Sequence, residues 1–294
     1  MKRVPSLRSI PRSWLVTLVF FVLIVPFWQV LSMLLRLALQ SDRYTHIVAV
    51  PVISLCVGYF ERDAILRNAR FAPRSGLPLL ALGLLLYWFV RQYPSSTESD
   101  SLFRLMPAVL LVWVAGFLLC YGERSFRAAL FPLCFLLFLV PMPVGVLDRI
   151  TLGLQQGSAA VSECLFRLLG IPVFRQGFRF SLPGAEIEIA EQCSGIRSSV
   201  ALLIITVLIG HAFLRCWWSK SLLVLFSVPV VIFKNSVRIV TLSALGMYVN
   251  PAFLYGNLHR RGGLLFALLG VLTLIPALIV LQRSERRFVH GQGG

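Results

Sequence analysis

The sequence is poor in charged side chains, and above all in acidic ones. Only 14% of its 294 residues are charged, and 28 basic residues stand against 12 acidic ones. A soluble domain keeps roughly 25% charged residues, because its surface must be hydrated. This shortage excludes a large soluble enzyme domain. With 57% hydrophobic residues, we predict that most of the surface faces lipid.

Three further patterns are missing from the sequence, and each absence limits the kinds of site or segment that we predict. The six cysteines form no CxxC pair, so neither a zinc site nor a redox pair is indicated, and we predict no metal and no organic cofactor. No basic stretch is interleaved with aromatic residues. The net charge of +16 therefore predicts cytoplasmic basic loops rather than a nucleic-acid partner. The first apolar run has no small-residue cleavage site, and we expect an uncleaved span rather than a signal peptide.

Apolar runs then predict an all-α polytopic membrane protein with about eight transmembrane helices. A span needs about 20 apolar residues. The runs cover residues 14–34, 46–60, 76–90, 106–121, 128–140, 196–214, 222–245 and 263–281. With the N-terminus inside, every short inner connection is basic. The positive-inside rule therefore predicts that both termini are cytoplasmic.

The segment between the fifth and sixth runs differs from the rest. Pro-Met-Pro at 141–143 ends the preceding helix. Apolar residues at helical spacing over 147–169 predict an amphipathic helix lying on the outer surface. Alternation over 177–182 and 185–190, around Pro-Gly at 183–184, predicts a short β-hairpin. We expect its apolar face to pack on the membrane or on the helical bundle.

Cys193 is the only cysteine in a polar, glycine-containing setting, directly before an apolar run. If a helix begins near Ser194, the thiol lies at its N-terminus, where the helix dipole and unpaired N–H groups stabilise a thiolate. Arg197, one turn further on, adds positive charge. Ser194, Gly195 and Asn235, the last from the seventh apolar run, complete the supporting set of the predicted site. The alternative interpretation is a buried structural cysteine beside a helix cap.

Lys234, Asn235 and Arg238 interrupt the seventh apolar run. A cation in the bilayer core costs about 2.5–3.5 kcal/mol on insertion scales, which favours a functional role for Arg238. Asn235 and Arg238 share a helix face, and Lys234 falls on the same side, deeper toward the cytoplasm. The alternative is a polar clamp between helices, and Lys234 is the residue that fits this structural role best.

His259 precedes the last apolar run and is a candidate general acid or base. A solvated histidine in a basic loop is the alternative. The predicted topology brings Cys193, Arg238 and His259 to the outer side, with Arg238 about 10 Å below the outer end of its helix. A thiolate, an imidazole and a guanidinium in one shallow pocket suit acyl transfer.

These motifs resemble the exosortase/archaeosortase family. The resemblance rests on Cys-Ser-Gly-Ile-Arg-Ser at 193–198, on Asn-Ser-Val-Arg at 235–238 and on the histidine before a glycine-rich span entry. The Pro-Met-Pro segment and the Leu-Pro-Gly hairpin add to it, and it covers about residues 44–281. In that family a Cys, an Arg and a His form the catalytic set. By position these are Cys193, Arg238 and His259.

The resemblance implies a cysteine peptidase and transpeptidase of the bacterial inner membrane, with its active site on the periplasmic side. Its substrates would be proteins with a C-terminal sorting tail of the PEP-CTERM type, which joins a Pro-Glu-Pro-type motif, one transmembrane helix and a basic cluster. A surface amine or glycan could accept the product. We predict one integral membrane domain over 1–294, with a catalytic core at about 141–263 and a short cytoplasmic tail at 282–294.

Two other functions stay open on the sequence. A transport or polysaccharide-export component could line an anion path with Lys234 and Arg238, without covalent catalysis. Against this, the two halves of the chain show no internal repeat. An acyltransferase could use the same cysteine on a lipid or a glycan.

Overall fold

The computed structural model describes residues 24–67, 69–93, 95–183, 185–189, 196–250, 252–255 and 263–291. These residues form helices and one small sheet, which confirms the prediction of an all-α polytopic membrane protein. They divide into two compact units, the first ending at Val144 and the second beginning at Gly145. The prediction of a single domain stays a prediction.

Within the described residues, five helices are long and apolar enough to cross a bilayer, or up to six if the bent pair 130–139 and 144–168 is counted as one span. The five are Pro73–Arg91, Glu98–Ala128, Ile196–Phe213, Trp217–Tyr248 and Leu265–Arg287. All eight predicted runs coincide at least in part with a helix. Eight spans therefore remains a prediction, because three of these helices are short.

The first unit is built from helices that follow the apolar runs. A 3₁₀ turn at Val25–Phe27 precedes the first of them. The helices are α1 (Trp28–Gln40), α2 (His46–Phe60), α3 (Arg62–Leu66), α4 (Pro73–Arg91), α5 (Glu98–Ala128) and α6 (Leu130–Phe135), with a 3₁₀ turn at Leu136–Leu139.

Helices α4 and α5 pack at very close range. A Cβ placed on Gly76 would lie 2.7 Å from the Cα of Leu119, and one on Gly83 would lie 2.8 Å from a methyl of Val112. The two glycines lie on one face of α4, and only their lack of a side chain allows this approach. Small residues are the usual means of close packing between helices in lipid, where no hydrophobic driving force exists.

The second unit holds the segment for which we predicted chemistry. Its helices are α7 (Val144–Leu168), α8 (Ile196–Phe213), α9 (Trp217–Tyr248), α10 (Ala252–Tyr255) and α11 (Gly263–Gly291). Its strands are β1 (Phe174–Gln176), β2 (Arg179–Leu182) and β3 (Ala185–Glu188). The segment predicted as a tail, 282–294, continues α11 as helix as far as Gly291.

The predicted hairpin is present and packs on helices. Strands β2 and β3 pair antiparallel, with Phe180 opposite Ile187, and β1 adds a third strand that we did not predict. Phe180 is 1% exposed and lies against Phe166 of α7, with ring centroids 5.9 Å apart. The same cluster contains Ile189 and Val240 of α9. The hairpin is therefore part of the core of the second unit.

The place of the amphipathic helix on the outer surface stays a prediction. Helix α7 forms where expected, but it buries a polar stripe of Thr151, Gln155, Ser158 and Ser162. Side chains of α9 bond to this stripe, as described below. Helix α7 is thus packed within its unit along its polar residues, because Gln155 and Ser158 find hydrogen-bond partners there and not in solvent.

Candidate active site

The structure describes only part of the predicted site. Cys193, Ser194, Gly195 and His259 lie outside the described residues. The other predicted residues lie within them and are Arg197, Asn235 and Arg238. Arg197 is exposed in the first turn of α8, Asn235 is buried, and Arg238 is half-buried on α9.

Helices α8, α9 and α11 all pack against one another. Lys234 of α9 lies level with Ser198 of α8, while the opposite end of α8, at Gly210, meets the early part of α9 near Lys220. Helix α9 therefore runs antiparallel to α8. Gly270 of α11 faces Leu202 of α8.

At the far end of the bundle, the amide of Gln282 donates to the carbonyl of Phe213 at 3.3 Å. Since Gly270 also faces Leu202, α11 runs parallel to α8. Helices α8 and α11 therefore begin at the same end of this three-helix bundle. We call this end the entry end, and define it by Ile196 and Gly263.

Two of the predicted catalytic residues precede the entry end in the sequence. Cys193 stands three residues before Ile196, and His259 stands four residues before Gly263. Both lie outside the described residues, so a position near the entry end stays a prediction for each of them.

Arg238 lies at the height of the entry end, measured along the axis of the bundle. It stands four residues beyond Lys234 on α9, which is about 6 Å along the helix axis. Ser198, level with Lys234, is only two residues inside α8. Arg238 therefore lies level with a point about 3 Å beyond the first residue of α8, where the chain arrives from Cys193. Helix α9 continues to Tyr248, so Arg238 lies about 15 Å from its end and not about 10 Å as expected.

Lys234 occupies the junction of the three helices. Its side chain is 2% exposed, and its ammonium donates to the Oγ of Ser198 at 2.5 Å. A Cβ on Gly270 of α11 would lie 3.2 Å from the Cδ of Lys234. The missing side chain of this glycine makes room for the lysine stem. We had expected Lys234 to lie deeper toward the cytoplasm than Arg238, and its ammonium reaches Ser198 in the first turn of α8.

Asn235 faces a different neighbour from Lys234. Its Nδ2 donates to Ser158 Oγ of α7 at 3.0 Å, and Ser236 Oγ donates to the Ser158 carbonyl at 3.1 Å. Adjacent helix residues point about 100° apart, so α9 can bind α7 with one and α8 with the other. The polar-clamp alternative therefore describes Asn235 well, and its predicted role in catalysis stays a prediction.

Gln155 fixes the chain on the other side of the cysteine segment. Its Nε2 donates to the carbonyl of Ile189 at 3.1 Å, one turn of α7 before Ser158. The N–H of Ile189 in turn donates to the carbonyl of Phe178 at 3.0 Å. Cys193 comes four residues after Ile189 and three before Ile196. Both ends of the stretch that carries it are thus held by described contacts.

Sequence reasoning missed Gln155, Ser158, Ser198 and Ser236 as members of this network. Each is a polar residue inside or beside an apolar run, and that was the only available signal. Hydroxyl and amide groups in membrane helices usually bond to a neighbouring helix. The partner depends on helix register, which a single sequence does not reveal.

The opposite end of the bundle is closed by a buried carboxylate. Glu285 of α11 is 6% exposed, and its oxygens accept the backbone N–H groups of Arg215 and Cys216, each at 2.9 Å. Cys216 is the N-cap of α9, and its own side chain makes no capping bond. Glu285 therefore supplies the cap that α9 lacks and ties it to α8 and α11.

The entry end of the bundle is electropositive. The first-turn N–H groups of α8, the ammonium of Lys234 and the guanidinium of Arg238 lie at or near one level, which favours an anion there. Across the described part of the chain, no group of three His, Cys, Asp or Glu side chains is placed to hold a metal ion.

Comparison with known proteins gives one finding. The sequence model of a family described as transmembrane exosortase matches residues 38–276, which is most of the chain. Neither the curated proteins nor the solved structures give a match.

Proposed function

The chain thus belongs to the exosortase family, and on this premise we propose that it is a membrane-embedded cysteine peptidase and transpeptidase. In this proposal it cleaves proteins that carry a C-terminal sorting tail of the PEP-CTERM type and transfers them through a thioester on Cys193. Family membership supports a multi-pass membrane transpeptidase in general. The catalytic residues, the substrate class and the side of the membrane on which the active site lies are proposals.

The proposed reaction has two steps. The thiolate of Cys193 attacks the carbonyl carbon of the scissile peptide bond, and Arg238 stabilises the oxyanion that forms. The C–N bond then breaks, His259 gives its proton to the departing amine, and a thioester remains on Cys193. An amine or water attacks this thioester, loses a proton to His259 and releases the thiolate, which completes the cycle.

One observation supports this proposal above the others. Arg238 stands level with the start of α8, at the same end of the bundle at which α8 and α11 begin. The Cys193 stretch leads into α8 and the His259 stretch leads into α11. The position of Arg238 at this end of the bundle supports a reaction centre shared with Cys193 and His259.

The predicted topology gives the proposal its location and partners. Both termini are cytoplasmic and the entry end faces the periplasm of a bacterial inner membrane. A substrate tail would cross the bilayer beside the enzyme, with its motif at the entry end and its basic cluster inside. A surface amine or a glycan is the proposed acceptor, and water would give simple hydrolysis.

Replacement of Cys193 by alanine tests the function. The enzyme is co-expressed with a reporter protein that ends in a Pro-Glu-Pro motif, a transmembrane helix and a basic cluster. Cys193→Ala should abolish cleavage while the membrane level of the protein is unchanged. Cys56→Ala, at an exposed cysteine of the first unit, is the control and should cleave normally. Normal cleavage by Cys193→Ala would remove the enzyme proposal and favour a transport function.

A trapping experiment separates peptide transfer from the acyltransferase alternative. Mass measurement of the protein after rapid acid quenching should detect a mass increment on the Cys193 peptide equal to the reporter chain up to its cleavage site. A lipid or glycan acyl mass at that position would contradict the proposed substrate class.

A further inference from the structure

The first unit carries a group of exposed arginines whose charge no carboxylate of the described chain offsets directly. They are Arg67, Arg70, Arg74, Arg124 and Arg127. Within the residues that the structure describes, no carboxylate lies within ion-pair distance of any of these guanidiniums. We call the surface that these five residues form the basic patch.

Main-chain contacts bring the basic patch together at one end of α4 and α5. The N–H of Arg70 donates to the carbonyl of Tyr121 at 2.9 Å. The N–H of Ala72 donates to the carbonyl of Leu119 at 3.0 Å. Gly122 interrupts α5 with a φ of 81°, and a Cβ there would lie 2.6 Å from the carbonyl oxygen of Arg70. The segment before α4 therefore lies along the last turns of α5, and each patch arginine stands within five residues of this contact in the sequence.

Acidic residues are few in these two segments. Asp63 pairs with Arg62 at 3.9 Å, so these two charges offset each other. Glu61 and Glu123 are the other acidic residues of 59–74 and 119–128. Five arginines thus stand against two glutamates, and this end of the first unit attracts anions.

Large apolar side chains are exposed beside the basic patch. Phe60, the last residue of α2, is 82% exposed, and Tyr59 and Phe71 are each more than half exposed. The exposed leucines of α4 begin at Leu77, about one turn after Arg74. Exposed aromatic and basic residues directly before an apolar helix surface are typical of the level of the lipid headgroups.

We propose that the basic patch binds the phosphate-bearing headgroups of anionic phospholipids. The guanidiniums would donate paired N–H groups to phosphate oxygens, and the aromatic side chains would lie among the first methylenes of the acyl chains. The predicted topology places the patch at the cytoplasmic leaflet, where anionic lipids attract basic segments. This lipid site goes beyond the proposed catalytic function and does not depend on it.

Native mass spectrometry of the full-length protein in detergent tests the proposal. The probes are phosphatidylglycerol and phosphatidylcholine with identical acyl chains, so that only the headgroups differ. Wild type should bind phosphatidylglycerol more tightly, and a higher ionic strength should weaken this preference. Each arginine at an anionic surface contributes roughly five-fold to binding, so Arg70→Gln combined with Arg124→Gln should lower the preference by about 25-fold.

Two control variants separate the patch from net charge and from loss of structure. Arg36→Gln combined with Arg91→Gln removes the same charge from two other exposed arginines. Arg91 ends α4, about 25 Å from Arg74 along the helix axis, so this variant should keep the wild-type preference. Arg70→Lys combined with Arg124→Lys keeps the charge and should retain most of the preference.

An equal affinity of wild type for the two lipids would overturn the proposal. An equal loss of preference in the control pair would do the same, because binding would then follow net charge alone. Inorganic phosphate should not displace phosphatidylglycerol, and full displacement would indicate a small-anion site in place of a lipid site. Should the double glutamine variant not accumulate in the membrane, Arg124→Gln alone must lower the preference by about five-fold.

Discussion

Removal of Glu285 should loosen the helical bundle that carries the proposed reaction centre. Its carboxylate accepts two backbone N–H groups, from Arg215 and Cys216, each at 2.9 Å. A hydrogen bond to a charged group is worth about 1.5–3 kcal/mol, and paired losses are not fully additive. Glu285→Ala should therefore destabilise the protein by about 3 kcal/mol. For a chain of this size that lowers the thermal midpoint by roughly 6–12 °C.

Thermal unfolding in detergent, followed by a thiol-reactive fluorophore that reports the emerging cysteines, measures the change. Glu285→Gln keeps the shape and one acceptor oxygen, so it should fall between wild type and Glu285→Ala. The exposed Arg283 lies two residues away on the same helix, and Arg283→Ala is the matched control. Equal midpoints for Glu285→Ala and Arg283→Ala would refute the assignment of Glu285 as the cap of α9.

Two further changes test helix packing in the first unit and a hydrogen bond of α7 in the second unit. Gly76→Ala places a Cβ 2.7 Å from the backbone of Leu119, so it should lower the thermal midpoint of the first unit sharply, whereas Gly58→Ala, with open space around it, should not. Gln155→Leu keeps the size of the side chain but leaves the Ile189 carbonyl without its donor. We expect the free energy of unfolding to fall by about 1–3 kcal/mol and reporter cleavage to become slower. Unchanged cleavage would show that the reaction does not depend on this hydrogen bond.

Much of the fold could be predicted from the sequence at positions where the local residue types determine the backbone conformation. The Pro-Met-Pro segment at 141–143 separates the 3₁₀ turn that ends at Leu139 from α7, which starts at Val144. Its two prolines lack backbone N–H donors, and each favours an extended conformation in the residue before it, as Val140 shows. The Pro-Gly pair at 183–184 separates β2 from β3 as expected. In both places the residue type restricts the backbone, so no knowledge of the tertiary structure is needed.

Helix boundaries were harder to predict where a helix continues through polar residues. The first apolar run was predicted to end at Leu34, before Arg36, but α1 continues to Gln40. Its buried residues, Val30, Leu34 and Ala38, recur every four positions, so the helix keeps one packed face past the arginine. Strand β1 was missed because three residues are too few to show alternation.

The charged residues of the proposed site could be identified from the sequence, but their hydrogen-bond partners could not. Arg238 and Lys234 could be found because a cation in an apolar run is costly. The different hydrogen-bond partners of Asn235 and Lys234 could not be predicted. Asn235 bonds to Ser158 of α7 while Lys234 bonds to Ser198 of α8, and the choice depends on the register of three helices. Hydroxyl groups such as Ser158 give no signal of their own in a sequence.

The register of α9 is fixed at both of its ends, and the proposed reaction centre depends on this register. Lys234 and Ser198 join α9 to α8 near the entry end, and Glu285 joins the first residues of α9 to α11 at the other. A slip by one helical turn would move Arg238 by about 5.4 Å. A displacement of 1 Å can already cost about 100-fold in rate, so such a slip would abolish the reaction. The buried lysine and the buried glutamate, both outside the proposed catalytic set, therefore hold Arg238 level with the start of α8.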